Sequence, residues 1–191
     1  MEKKLSIFST LFLSSALFGA PNGVYIEAGL GTSLEDTQTI QKIKYVYDRG
    51  FSGNVALGYQ VNLFRFEVEA LYRADKINSF SNYHADGDLT QNSQMFNLYY
   101  SGYNSSNLVS TIGLGAGVSS ISVENLKQVG TPQDDIENSS IPSYQGMASV
   151  GYMFDKHITC TLKYKYLHTS KSDDFEARGV SDISFSLRYL F

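Results

Sequence analysis

Apolar and polar residues alternate with a period of two in eight separate stretches of this chain. Successive side chains of a strand point to opposite faces, so each stretch predicts a strand with one apolar face. The first is Val24 to Thr32, with Val24, Ile26, Ala28 and Leu30 opposite Tyr25, Glu27, Gly29 and Gly31. The second, Phe51 to Tyr59, sets Phe51, Val55, Leu57 and Tyr59 against Ser52, Asn54 and Gly58. The third, Arg65 to Arg73, sets Phe66, Val68, Ala70 and Tyr72 against Arg65, Glu67, Glu69, Leu71 and Arg73. The fourth, Gln94 to Tyr103, carries aromatics on both faces and leaves its phase open. The fifth, Leu108 to Val118, alternates Ile112, Leu114, Ala116 and Val118 with Thr111, Gly113, Gly115 and Gly117. The sixth is Tyr144 to Phe154. The seventh, Ile158 to Leu167, alternates Ile158, Cys160, Leu162, Tyr164 and Tyr166 with Thr159, Thr161, Lys163 and Lys165. The last spans Ile183 to Phe191, with Asp182, Ser184, Ser186 and Arg188 on its polar face.

The connections alternate in length. Short ones lie around Asn62, at Asn104 to Asn107 and at Asp155-Lys156. Long polar ones are expected at Ser33 to Gly50, Ala74 to Ser93, Ser119 to Ser143 and His168 to Ser181. Short turns at one end and long loops at the other are the pattern of a transmembrane barrel with periplasmic turns. The expected fold is therefore all-β: an eight-stranded antiparallel transmembrane β-barrel with short periplasmic turns and four long extracellular loops. A soluble barrel would alternate too, with its apolar face inward. Here the opposite faces carry Glu27, Glu67, Glu69, Arg73, Lys163, Lys165 and Arg188 among glycines. An eight-stranded interior is filled by side chains, so these seven are expected to form a lumen ion-pair network. A soluble protein with the same inward face would leave a band of Tyr, Phe and Ile in water, where it would aggregate. Trp is absent, so any interfacial girdle must come from Tyr and Phe, such as Tyr59, Tyr72, Tyr152, Tyr166 and Tyr189.

The start of the chain reads differently. Met1-Glu2-Lys3-Lys4 is basic, Leu5 to Phe18 is uncharged and apolar, and Ala20-Pro21 ends the run. The apolar core is too short to span, so residues 1–20 are expected to be a secretory signal peptide, leaving 21–191 as the barrel domain. Cleavage after Ala20 puts Phe18 at the minus-three position, whereas cleavage after Ala16 puts Ser14 there; the sequence leaves both open. Net charge is −4 for the whole chain, with Lys plus Arg 15 against Asp plus Glu 19. Such a chain, without a basic cluster, is not expected to bind nucleic acid. Cys160 is the single cysteine, so no internal disulfide can form.

Several of these stretches resemble the opacity-type and major-surface-antigen (porin-like) families of small outer-membrane barrels. They are Gly23-Val24-Tyr25-Ile26-Glu27-Ala28-Gly29-Leu30-Gly31, Phe66 to Tyr72, Ser143-Tyr144-Gln145-Gly146 with Gly151-Tyr152, and Lys163-Tyr164-Lys165-Tyr166. The aromatic ending at Tyr189 and Phe191 resembles the terminal strand that such barrels present as an assembly signal. The resemblance implies a surface antigen or adhesin of the bacterial cell outer membrane, with a narrow porin or small-molecule conduit as the alternative. It implies as partners outer-membrane lipid and lipopolysaccharide, the barrel assembly machinery and host surface molecules. No cofactor is implied.

Candidate chemistry is sparse, and no catalytic site is expected. His168-Thr169-Ser170 with Glu176 resembles the His-x-Ser pair of outer-membrane lipid A deacylases, but Lys171 stands where those enzymes carry Asn. A serine nucleophile needs an adjacent base and a third group to orient it. A polar start to a loop is the expected reading. Asp134-Asp135-Ile136-Glu137 and Asp173-Asp174-Phe175-Glu176 match no defined calcium loop, and His84, His157 and His168 have no ligand spacing. Metal is therefore not expected. Recognition is expected from aromatics of the long connections, Tyr45, Tyr47, Phe80, Tyr83 and His84, because aromatics dominate contact energetics.

Overall fold

The computed structural model describes residues 22–34, 37–40, 43–47, 50–80, 86–104, 106–128, 131–132, 136–171 and 177–191. Its elements are β1 (Gly23–Ser33), β2 (Thr37–Ile40), β3 (Ile43–Tyr47), β4 (Phe51–Val61), β5 (Phe64–Phe80), β6 (Asp86–Tyr103), β7 (Leu108–Gln128), β8 (Thr131–Pro132), β9 (Ile136–Met153), β10 (Ile158–Thr169) and β11 (Arg178–Leu190). Eight of them close on one another in the order β1-β4-β5-β6-β7-β9-β10-β11 and back to β1, every pair antiparallel. The short hairpin β2–β3 adds to the far end of β5, and β8 adds to β7.

The register fixes the tilt. Ladder partners lead from Val24 through Tyr59, Phe66, Leu98, Leu114, Gly146, Tyr166 and Ser181, and Ser181 then accepts a hydrogen bond from Leu34, ten positions beyond Val24. A closed sheet with such an offset must tilt its strands, and each rung climbs as it goes round.

The turns at one end are tight. Asn62 and Leu63 join β4 to β5, with Asn62 at φ 53°. Asn104 to Asn107 join β6 to β7, with Asn107 at φ 59°. Asparagine tolerates this left-handed region better than most residues. At the other end the strands outrun the expectation. Most of the stretches 74–93 and 119–143 are ladder rather than loop, in β5, β6, β7 and β9. The physical reason is that the ladder is carried by backbone hydrogen bonds. It continues where polar residues occupy both phases of the sequence, so the apolar period-two signal fades although the ladder does not. Register shifts fall at this rim, at Val46/Tyr47, Asp86/Asp88 and Ser119/Ile121. Rims of barrels are where bulges concentrate.

The apolar faces point outward. Leu114 is 73% exposed and Leu30 65%, with Val55, Val68, Phe96 and Phe185 in the same band. The open phase of the fourth stretch resolves with Met95, Asn97, Tyr99, Ser101 and Tyr103 inward and Phe96 and Leu98 outward. Exposed Tyr59, Phe64, Tyr152, Phe154, Tyr189 and Phe191 gather beside the short turns. Exposed Phe51, Tyr72, Tyr144 and Tyr166 sit toward the other end, giving the wall two aromatic rims.

Candidate functional site

The interior is built in layers from alternate residues of every strand. Nearest the short turns, Gln60 Nε2 donates to Tyr103 Oη (2.6 Å) and Arg188 to Thr159 Oγ1 (3.2 Å). The guanidinium of Arg65 lies over the Tyr99 ring at 4.6 Å and the Tyr25 ring at 5.6 Å. Glu27 meets Lys163 Nζ at 2.6 Å and Arg65 at 3.7 Å. Glu67 accepts from Tyr25 Oη (2.9 Å), Asn97 Nδ2 (3.0 Å) and Tyr99 Oη (3.0 Å).

One level higher, Glu69 pairs with Lys165 and accepts from Asn97 and Gln145, each at 2.9 Å. Leu71, Met95 and Leu167 form a small apolar layer. Above it Gln91 donates to Ser93, Ser119 and Thr169, and Ser119 bonds Ser93 and Ser143 at 2.7 Å each. Arg73 lies 3.9 Å from Asp182, which also accepts from Ser52. Asp75 accepts from Ser33 (2.7 Å) and Arg178 (3.1 Å).

Within the seven, Glu27 meets Lys163 and Glu69 meets Lys165. Glu67 instead bonds neutral donors, Arg73 turns to Asp182, and Arg188 stacks over Tyr25 at 5.5 Å. The sequence expectation missed Arg65, Asp75, Arg178 and Asp182 as members. Asp75 and Arg178 had been assigned to loops; they are inward positions of strands longer than the apolar pattern implies. Extending the alternation from Arg73 by two residues, or back from Asp182 by four, would have found them.

Glycine makes this packing possible. A Cβ at Gly113 would fall on the Tyr99 ring, and one at Gly58 on the Tyr25 ring. The inward glycines of β7 are thus the floor on which β6 side chains lie.

At the short-turn end, Asp155 Oδ1 accepts from the backbone N–H of His157 (2.7 Å) and of Ile158 (2.8 Å). Those bonds hold its carboxyl below the usual carboxylate range. The His157 ring stacks on Tyr189 at 5.9 Å, and Tyr189 packs edge-on against Phe191 at 5.1 Å. The two expected assembly-signal aromatics therefore lie on the outer wall beside this turn.

Tyr45 and Tyr47 lie on β3 and Phe80 ends β5, so these three are strand rather than loop positions; the ladder sets Tyr45 opposite Phe80. Tyr83 and His84 lie outside the described residues, as do the signal segment and Glu176. His168 is exposed on the outer face of β10, Thr169 points inward to Gln91, and Ser170 N–H bonds Pro142. Among the described residues, no hydrogen bond joins His168 to Ser170, and no cluster of His, Cys, Asp and Glu could hold a metal ion.

A family model described as the outer membrane protein beta-barrel domain matches residues 5–191. No curated protein sequence matches this chain. Among solved structures, Neisserial surface protein A superposes with a TM-score of 0.67 at 18% identity, covering 88% of this chain and 97% of that one. OprG from Pseudomonas aeruginosa superposes with a TM-score of 0.59 at 14% identity, covering 91% and 99%. Ail, the attachment invasion locus protein of Yersinia pestis, does so at 0.52 and 15%, covering 91% and 100%. At these identities the likeness is one of fold.

Proposed function

Since the chain belongs to the outer-membrane β-barrel domain family, we propose that it is a surface protein of the bacterial outer membrane with a structural and adhesive or antigenic role. In this reading residues 1–20 direct export and are removed. The short turns face the periplasm, and the long-strand end, with the β2–β3 hairpin, projects outside. The carrying observation is the closed interior: Arg65, Glu27, Lys163, Glu69, Lys165, Tyr25 and Tyr99 are all buried across its width. A conduit would need that cross-section open. Recognition therefore falls to the rim, where a rigid scaffold presents variable segments. We assign it no catalytic role. Structural neighbours named for surface location and attachment support this class of role.

The test is display on a non-adherent bacterium. Wild type should confer binding to host cells or matrix. Replacing residues 37–47 by a short Gly-Ser turn should cut binding without changing heat-modifiable gel migration. Equal binding by displaying and non-displaying cells would end the adhesive reading.

A further inference from the structure

The outer wall is not uniformly studded. Between β11 and β6 runs a shallow groove of about 920 Å³. Its floor is Ala28, Gly53 and Ala70, small residues set between Leu30, Val55, Tyr72 and Phe185. The groove follows two adjacent rungs of the sheet. One passes Leu187, Ala28, Val55, Ala70 and Gln94; the other passes Phe185, Leu30, Gly53, Tyr72 and Asn92. Because rungs climb in this direction, the groove rises obliquely, from Phe185 and Leu187 within the apolar band to Asn92 and Gln94 at the upper aromatic rim. Its polarity changes along the same path. The low end is wholly apolar, and the high end presents two exposed carboxamides beside Tyr72.

We propose that this groove is a binding site for one acyl chain of an outer-leaflet glycolipid of the lipid A type. The chain lies over Ala28, Gly53 and Ala70, and its ester or amide linkage meets Gln94 and Asn92. The assignment follows from the gradient. A slot that is apolar deep in the band and hydrogen-bonding at its upper end matches a hydrocarbon tail hanging from a polar junction. The junction must lie at the long-strand end. The leaflet rests on the orientation proposed above, while the groove itself does not. A carboxamide can both donate to and accept from an acyl linkage, whereas a lipid tail alone would leave it unpaired in hydrocarbon. Burial of methylenes in a preformed slot adds to this the ordinary gain of close packing.

The wall supplies its own control. A Cβ at Gly53 would meet only ordinary contacts, the nearest being Leu30 Cδ2 at 3.7 Å, and a Cβ at Gly146, away from the groove on β9, would meet nothing within 4 Å. Both positions accept a larger side chain without moving the barrel, but only Gly53 is on the groove floor. The experiment is native mass spectrometry of detergent-purified full chain titrated with hexa-acylated lipid A, with phosphatidylethanolamine in parallel. Heat-modifiable migration confirms the fold of each variant. Wild type should retain one lipid A, in preference to phosphatidylethanolamine. Gly53→Leu should weaken retention roughly tenfold, the scale of a few misplaced methylenes in an apolar slot. Gln94→Leu should erode the preference over phosphatidylethanolamine, and Gly146→Leu should behave as wild type. Retention by Gly53→Leu equal to wild type, an equal loss in Gly146→Leu, or no preference for lipid A in wild type would each overturn the proposal. A failed adhesion assay would leave this result untouched, so the two readings fail separately.

Discussion

Lys163 and Arg65 approach Glu27 from two sides, at 2.6 and 3.7 Å, and this makes their losses unequal. Lys163→Met leaves Glu27 with Arg65. Glu27→Gln takes from two buried cations the carboxylate that lies within 4 Å of both. Removing one member of a buried pair costs about 3–5 kcal/mol, because the survivor stays desolvated. Glu27→Gln should therefore sit near the top of that range and Lys163→Met near the bottom. The double variant should be more stable than Glu27→Gln alone. Guanidinium unfolding in detergent or lipid vesicles measures all three, and strict additivity would contradict a direct coupling. Tyr99 offers a steric counterpart. Its ring occupies the space a side chain at Gly113 would need, and its hydroxyl bonds Glu67. Gly113→Val should cost at least about 1–3 kcal/mol through overpacking. Pairing it with Tyr99→Leu should recover part of that cost.

At the scale of single elements, the outer rows of the neighbouring β7 and β9 test which way the faces point. Leu114 stands within the apolar band, and Tyr144 stands at its upper rim. Leu114→Arg should cost about 2–4 kcal/mol in a bilayer, and Tyr144→Arg about 0–1, because the penalty depends on depth. Equal costs would remove the evidence for a membrane band. The turn after β9 gives a pH test. Asp155 is held below its ordinary range by the two backbone donors, with His157 and Lys156 beside it. A depressed carboxyl stabilises the fold at pH values above its unfolded value, about 4. That stabilisation fades as pH falls through the lower folded value. The unfolding midpoint of wild type should thus drop below about pH 4 more than that of Asp155→Asn, which cannot titrate. These elements also show where the sequence was legible. Alternation gave β1, β4 and β10 nearly to the residue, because one face meets lipid and the other the packed interior. It lost the upper parts of β5, β6, β7 and β9, where polar residues occupy both phases of the sequence. It found Glu27 with Lys163 and Glu69 with Lys165 as inward charges, yet not who meets whom. Pairing across Glu27–Lys163, on strands separated by β11, depends on barrel closure and offset, which no local pattern encodes.

For the whole molecule, the offset of the rungs and the eight-strand closure fix a bore that side chains fill. Along that bore Gln60 and Tyr103 close the lowest level, and Arg65 is sandwiched near Tyr25 and Tyr99 above them. The Glu69–Lys165 pair and the Leu71, Met95 and Leu167 layer follow, with the serine and Gln91 network at the top. An ion crossing this path would have to break several bonded layers in succession, and each would leave buried charge or dipole unpaired. Wild type in planar bilayers should therefore show no sustained conductance. The joint variant Tyr25→Ala with Tyr99→Ala should behave differently. It deletes the two rings that cover Gly58 and Gly113 and leaves bare backbone on those walls. If it still migrates as a heat-modifiable barrel, it should show brief openings that wild type lacks. Steady conductance from wild type, at a level the double variant does not raise, would mean that the layers part as a gate. In that case the conduit function would replace the recognition function proposed for the rim.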